Sequence, residues 1–478
     1  MESGRRGRRI VANVGWRALA DLASKIASIA LYVVMARELG AAQFGVYTYG
    51  FALITIVTAF GSFGQGTILV REVARDRSRI DHYFGNTLAL RALMSVPVVA
   101  VTVLATALTA GRTTVLVVAL LGAAFVAELQ LFTCTATYQA FERLSLVPVV
   151  IIGQRTFTAV TGIAAVLAGG DVVAVAALYL AGSVLAAATA FWLLARYVWR
   201  PRIRVDPKRW RPLLAAAVPV GLASTFATIV FQVGATMLGW LESDAEVGNY
   251  GAAQRLLQAT FFIGWAVTAA VYPVFSRLGS DSEPPVAFVY ERAVKLALAL
   301  GLPVAVAVGL LAEPAVELLY GNDFDDAATA LALLSPVIAV YGLNHVSMSL
   351  LVSQGRQLLS AAIYAAAAAA CVVGSAALIA TRSLEGAAVA LTGTEVLLAV
   401  VFVSAASSAT GAHVWRRFGG PVVAAAAAAA AILILRAEPV LAVAAGAASY
   451  VAVLAAFESL VFPEDARFFF QLARARRS

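Results

Sequence analysis

Near the start of the chain Asn13, Arg17, Asp21, Lys25 and Ser28 recur at intervals of three or four inside an otherwise apolar stretch. That spacing puts all five on one face of a helix. Such a face either packs two helices through a self-neutralised ladder, Arg17–Asp21–Lys25, or forms a cavity wall with one positive charge in surplus. The second reading is favoured, because Ala or Leu would pack at lower cost than ions in hydrocarbon. Three more cations sit in apolar runs: Arg91, Arg155 within Gly153-Gln-Arg-Thr156, and Arg255. Arg91 lies near the end of its run and has the alternative of snorkelling to the surface. Glu128 and Glu395 are acids in similar settings and, with Asp21, are candidates to carry a proton or a sodium ion. Glu128 has the alternative of neutralising Arg155. His345, beside Asn344, titrates near neutral pH if hydrated and otherwise serves as a hydrogen-bonded packing residue. Two further polar faces follow helical spacing: Thr225, Thr228, Gln232 and Thr236, then Tyr250, Gly251, Gln254, Arg255 and Gln258.

The elements that hold these groups follow from composition. Of 478 residues 61% are apolar and 13% charged, against about 25% charged in soluble domains, and the mean hydropathy is +0.86. These values exclude a soluble protein and predict an all-α polytopic membrane protein. With roughly 20 apolar residues per crossing, spans fall near 10–36, 43–66, 85–109, 114–140, 146–168 and 172–195. After a basic break they resume near 213–240, 246–274, 292–312, 326–352, 358–380 and 385–409, with two more near 420–436 and 438–461. The total is about 14 transmembrane helices. No cleaved signal peptide is expected, because the first apolar run carries charges and lacks a small-residue cleavage site. Cys134 and Cys371 are far apart in apolar runs, which points to packing and to neither a disulfide nor a metal cluster.

Loop charges test that count, since Lys and Arg collect on the cytoplasmic side. Arg5 to Arg9, Arg71 to Arg79, Arg143, Arg196 to Arg211, Arg277, Arg292, Lys295, Arg356, Arg416, Arg417 and Arg467 to Arg477 all fall on one side. Only Arg37, Arg112, Arg382 and Arg436 fall on the other, with the acidic turns Glu242 to Glu246 and Asp323 to Asp326. Both termini are then cytoplasmic, in the cell membrane. The net charge of +8 is thereby read as topology and anionic-lipid contact, and no nucleic-acid partner is expected. Trp199 and Trp210 in the basic linker suit the membrane interface, and the tail after Phe468 can lie flat on the inner surface.

Ala42-Gln-Phe-Gly-Val-Tyr47 is echoed by Ala245-Glu-Val-Gly-Asn-Tyr250. Each segment opens the second span of its half, so the chain reads as a duplication. The parts are a six-helix lobe at 1–195, a basic cytoplasmic linker at 196–212, a second six-helix lobe at 213–411, two additional helices at 412–462 and a basic tail at 463–478. Spans eleven, thirteen and fourteen are Ala-rich and are read as peripheral. Arg37-Glu-Leu-Gly40, Phe44-Gly-Val-Tyr47, Gly61-Ser-Phe-Gly-Gln-Gly66 and the basic run Arg71 to Arg79 resemble the start of the Wzx-type polysaccharide flippases of the multidrug/oligosaccharidyl-lipid/polysaccharide (MOP) exporter superfamily.

That resemblance implies two lobes, MATE-like, around a central cavity. It also implies alternating access that moves a polyprenyl-linked oligosaccharide from the cytoplasmic to the outer leaflet for cell-surface polysaccharide synthesis. The implied protein is a transporter without a cofactor, a monomer in the bilayer beside glycosyltransferases and a polysaccharide polymerase. A lipid (pyro)phosphate crossing hydrocarbon needs fixed guanidinium or ammonium partners. The headgroup contacts are therefore assigned to Arg17, Lys25, Arg91, Arg155 and Arg255. Asn13, Asp21, Thr228, Gln232, Tyr250, Gln254 and Gln258 line the cavity, and Asp21, Glu128 and Glu395 are the acids available for ion coupling. The rivals are a cation-coupled multidrug exporter, which needs buried acids in excess, a lipid II flippase, and a membrane glycosyltransferase or polymerase. The last needs paired acids on a sizeable outer loop, and the outer cluster Asp323, Asp325 and Asp326 reads as a solvated turn.

Overall fold

The computed structural model describes residues 2–277 and 285–461, with side chains described from Ile26 onward. All regular structure among them is helical, as hydrocarbon requires of a chain that must satisfy its backbone within each segment. The order begins α1 (Glu2–Ser62), α2 (Gln65–Arg75), α3 (Ile80–Thr109), α4 (Arg112–Ala140), α5 (Leu146–Leu167) and α6 (Val172–Tyr197). It continues with α7 (Trp210–Leu241), α8 (Asp244–Ala259), α9 (Phe262–Phe275), α10 (Val286–Leu310) and α11 (Ala312–Tyr320). The last are α12 (Asp325–Leu334), α13 (Pro336–Ser353), α14 (Gln357–Thr410), α15 (Gly419–Ile434) and α16 (Pro439–Val461).

Among the described residues twelve stretches are long and apolar enough to cross a membrane, and two of them are hairpins. Residues Tyr32 and Tyr47 of α1 have ring centroids 6.3 Å apart, where an unbroken helix would separate them by roughly 22 Å. The chain therefore reverses between them, at Gly40, whose φ of 74° and ψ of 172° are not helical. In α14 the rings of Tyr364 and Phe402 lie 5.2 Å apart against roughly 57 Å in a straight helix, with the reversal at Ser383. Spans one and two, and eleven and twelve, are thus joined with almost no loop. The span expected at 246–274 is broken between α8 and α9, and the one at 326–352 between α12 and α13, where Pro336 opens the second piece.

The chain forms two compact units, up to Ala252 and from Ala253 onward. In the first, α4 and α6 pack around Phe84, Leu131, Cys134, Tyr138 and Ala190, with the Tyr138 hydroxyl donating to the Ala190 carbonyl. The basic linker is pinned to α3. Asn86 Oδ1 accepts from the Asp206 amide and from Trp210 Nε1, both at 2.9 Å, and Trp199 packs on Phe84 at 5.5 Å. Both tryptophans of the linker are half-buried and make these contacts within the protein. In the second unit α15 and α16 rest on α10, held by Lys295–Glu458 and by Arg417–Glu291 at 3.1 Å.

Candidate functional site

The first unit contains a meeting of the two sequence echoes. A β-carbon added to Gly45 would lie 1.7 Å from the Asp244 carbonyl oxygen, and one added to Gly248 would lie 2.0 Å from the Ala41 carbonyl oxygen. Ala41 and Asp244 immediately precede the two echoes, and Gly45 and Gly248 are equivalent positions within them, so the contact is reciprocal. Next to it Gly251 faces Thr48 and Gly239 faces the Tyr49 ring. Backbone against backbone at this distance is available only to glycine. At the other end of α7, Gly221 meets Phe63 and Gly64, and Gly64 has φ +70° at the break between α1 and α2.

A second centre in this unit is built on Glu128. Its Oε1 accepts from Gln154 Nε2 at 2.6 Å, Tyr179 Oη at 2.8 Å and Ser183 Oγ at 3.1 Å, so α5 and α6 converge on α4. Arg155, half-buried, stands near enough to add an attractive Coulomb field. Phe51, Phe125 and Tyr179 form the apolar side, with Phe51 and Phe125 rings 5.3 Å apart and Phe125 stacked with Tyr179 at 6.3 Å. The arrangement satisfies a buried acid with three side-chain donors drawn from two neighbouring helices.

Of the other predicted residues, Arg91 is buried, and its Nη1 donates to the Leu129 carbonyl at 2.6 Å and to Thr133 Oγ1 at 2.7 Å. Gly66 leaves room for the guanidinium, since a β-carbon there would lie 3.0 Å from Arg91 Nη2. Arg91 does not snorkel; it is held inside, between α3 and α4. Thr225 Oγ1 donates across to the Ala59 carbonyl of α1 at 3.3 Å. Gln232 is buried and Thr228 half-buried on α7, and Tyr250 is buried where α8 begins. The side chains of Asn13, Arg17, Asp21 and Lys25 lie outside the described residues.

In the second unit Arg255 Nη1 donates to Gln258 Oε1 at 3.3 Å along α8, with Gln254 buried beside them. Glu395, fully enclosed in α14, accepts from Asn344 Nδ2 at 2.7 Å, and Asn344 also reaches the Glu395 carbonyl at 3.2 Å. His345 is a packing residue. Its Nδ1 is 3.1 Å from the Tyr341 carbonyl, and its ring lies 4.0 Å from that of Tyr341, which stacks on Phe261 at 3.9 Å. Asp323, Asp325 and Asp326 are exposed around the start of α12, as a solvated turn would be. Outside the spans, Asp76 is held below the ordinary carboxylate range by the Ser78 hydroxyl and amide, then by Arg79.

Sequence reasoning missed Gln154, Tyr179, Ser183 and the full role of Asn344. Gln154 adjoined a residue already singled out. Tyr179 and Ser183 are four apart on one face of span six, a signal too common in Ala-rich helices to stand out.

A model of polysaccharide biosynthesis proteins matches residues 10–279, and a MatE model matches residues 219–377. No curated protein sequence matches the chain. Among solved structures, a lipid II flippase MurJ in an inward closed conformation superposes with a TM-score of 0.79 at 11% identity, covering 93% of this chain and 98% of that one. An inward-facing multidrug resistance MATE family transporter of the MOP superfamily gives 0.61 at 14% identity, covering 81% and 94%. A MOP superfamily transporter from Pyrococcus furiosus, described as having reversed binding-pocket polarity, gives 0.53 at 15%, covering 84% and 93%.

Proposed function

Since the chain belongs to the polysaccharide biosynthesis protein family of the MOP superfamily, we propose that it is a flippase moving polyprenyl-(pyro)phosphate-linked oligosaccharides from the cytoplasmic to the outer leaflet. It is a multi-pass membrane transporter. The observation that carries the substrate reading is the family match, which covers the helices that hold Arg91, Arg155 and Arg255. Guanidinium groups buried or half-buried in apolar helices offset the desolvation of a lipid phosphate through charge-assisted hydrogen bonds. The reciprocal glycine crossing supports alternating access, because backbones without intervening side chains separate without repacking.

The cell membrane with both termini cytoplasmic, a monomer, and neighbouring glycosyltransferases and a polymerase belong to the same reading. The test is a deletion strain in which lipid-linked oligosaccharides are resolved by leaflet. Unpolymerised oligosaccharide on the inner leaflet, cleared by the intact gene, is the expected result, and its sugars identify the substrate. Arg155→Ala and Arg255→Ala should insert normally and fail to clear it; full clearance by both removes the cationic headgroup site. The multidrug-exporter reading draws on the MatE match and on the buried acids Glu128 and Glu395. Normal lipid intermediates together with drug sensitivity would establish it instead.

A further inference from the structure

At the end of the first unit remote from the basic linker, α1, α3, α4 and α7 surround a cleft of about 700 Å³, within the size range of sites for small organic ligands. Its polar wall consists of Tyr49, Thr102, Thr106, Thr109, Thr114 and Asp244, and among the described residues no lysine or arginine lines it. A smaller cavity at the opposite end, of about 290 Å³, is lined by Arg71 and Arg209. We propose that the 700 Å³ cleft is a sugar-binding subsite that holds part of the oligosaccharide of the flippase substrate; the proposal rests on the flippase reading above.

Three features of the wall select a sugar. The hydroxyls of Thr102, Thr106 and Thr109 donate to the Val98, Thr102 and Ala105 carbonyls at 2.8, 2.8 and 3.2 Å. The remaining capacity of Thr102 and Thr109 is to accept, while Thr106 also meets the Tyr49 hydroxyl. With the Asp244 carboxylate added, the lining has a surplus of acceptors and calls for a ligand rich in donors. Sugar hydroxyls are donors; an ionised phosphate offers none and would be repelled by Asp244. A polyprenyl tail would cover these oxygens without pairing them, which is costly.

Trp240 supplies the apolar platform. The residue is 62% exposed, yet its Nε1–H donates to Tyr49 Oη at 3.0 Å. A tryptophan of the interfacial belt keeps that N–H for headgroups and water. Here the bond to a buried residue of another helix holds the indole in the cleft wall, where it can cover the C–H face of a sugar ring. The cleft also touches the glycine crossing. Gly239 lies against the Tyr49 ring and the Asp244 carbonyl against Gly45, so a sugar bound here would be felt by the contact that alternating access must break.

The test starts from the deletion strain rescued by the intact gene, which checks the flippase reading by itself. Photoreactive p-benzoylphenylalanine is then placed at Val101 or Thr109, exposed positions that line the cleft, and at Leu108, which is 82% exposed and not part of the lining. Cells are fed tritiated sugar precursors and irradiated, and the protein is purified after mild acid has removed the lipid. Sugar label at Val101 and Thr109 at least tenfold above that at Leu108 is the expected outcome. It should fall several-fold when Trp240→Leu is combined with either photoreactive position. Equal label at all three positions, or cross-links that carry polyprenol without sugar, overturns the subsite while the flippase reading stands. Cross-linking of a cationic drug to these positions in place of sugar also overturns it. Failure of the deletion strain to accumulate lipid-linked oligosaccharide removes both.

Discussion

Glu128 shows how one side chain can organise three helices. Gln154, Tyr179 and Ser183 all donate to the same oxygen, so removing the carboxylate takes the acceptor from the Tyr179 hydroxyl and leaves Gln154 and Ser183 with their second contacts, to Ser183 Oγ and the Tyr179 carbonyl, at about 1–3 kcal/mol for a donor left unpaired. Glu128→Leu should therefore lower the melting temperature of the purified protein in detergent well beyond an ordinary core substitution. Adding Tyr179→Phe and Ser183→Ala should recover part of the loss, because partners removed together no longer need one another. A melting temperature unchanged by Glu128→Leu would mean that water already satisfies these groups. Arg91 follows a different logic. Its guanidinium donates to a carbonyl and a hydroxyl of α4, neutral acceptors that hold the group without cancelling its charge, so it supplies a fixed positive field.

Among the elements, the crossing of α1 with α7 and α8 is the contact most sensitive to a single methyl group. A β-carbon at Gly45 or Gly248 would overlap a carbonyl oxygen by more than any side-chain adjustment relieves. Gly45→Ala and Gly248→Ala should each push the helices apart and hold the transporter with that end open. A cysteine at Thr48, which is 3% exposed, should then react with a membrane-impermeant thiol reagent at least tenfold faster than in the parent, while transport falls by a similar factor. Unchanged labelling and unchanged transport would show that the crossing tolerates a side chain and does not gate. The hairpins at Gly40 and Ser383 make a related point. A span boundary needs one residue with non-helical φ and ψ and no polar loop at all.

For the whole molecule, the charge asymmetry predicts its orientation. Alkaline phosphatase fused after residue 242 should be active and fluorescent protein fused after Ser478 should fold, as each requires of its own side of the membrane. An active phosphatase at the C-terminus would invert the topology and put the sugar subsite on the cytoplasmic face. The same asymmetry explains why the basic linker stays at one end. Asn86 and Trp210 fasten it to α3, so its arginines mark the end of the bundle opposite the cleft.

Membrane class, the number of spans and the end-to-end charge bias were legible in the sequence, because hydropathy and loop charge are local quantities that the bilayer reads one segment at a time. The echo around Gly45 and Gly248 was legible as a pattern, and so were the buried ions as a set. What the tertiary structure alone decided is which of these groups meet. Gln154 and Ser183 are ordinary residues until α5 and α6 bring them to Glu128, and His345 is a packing residue because Tyr341 and Phe261 stack beneath it. The two echoing glycines became a single contact only when their backbones crossed. Helix packing depends on the shapes of both partners, and no one stretch of sequence contains both.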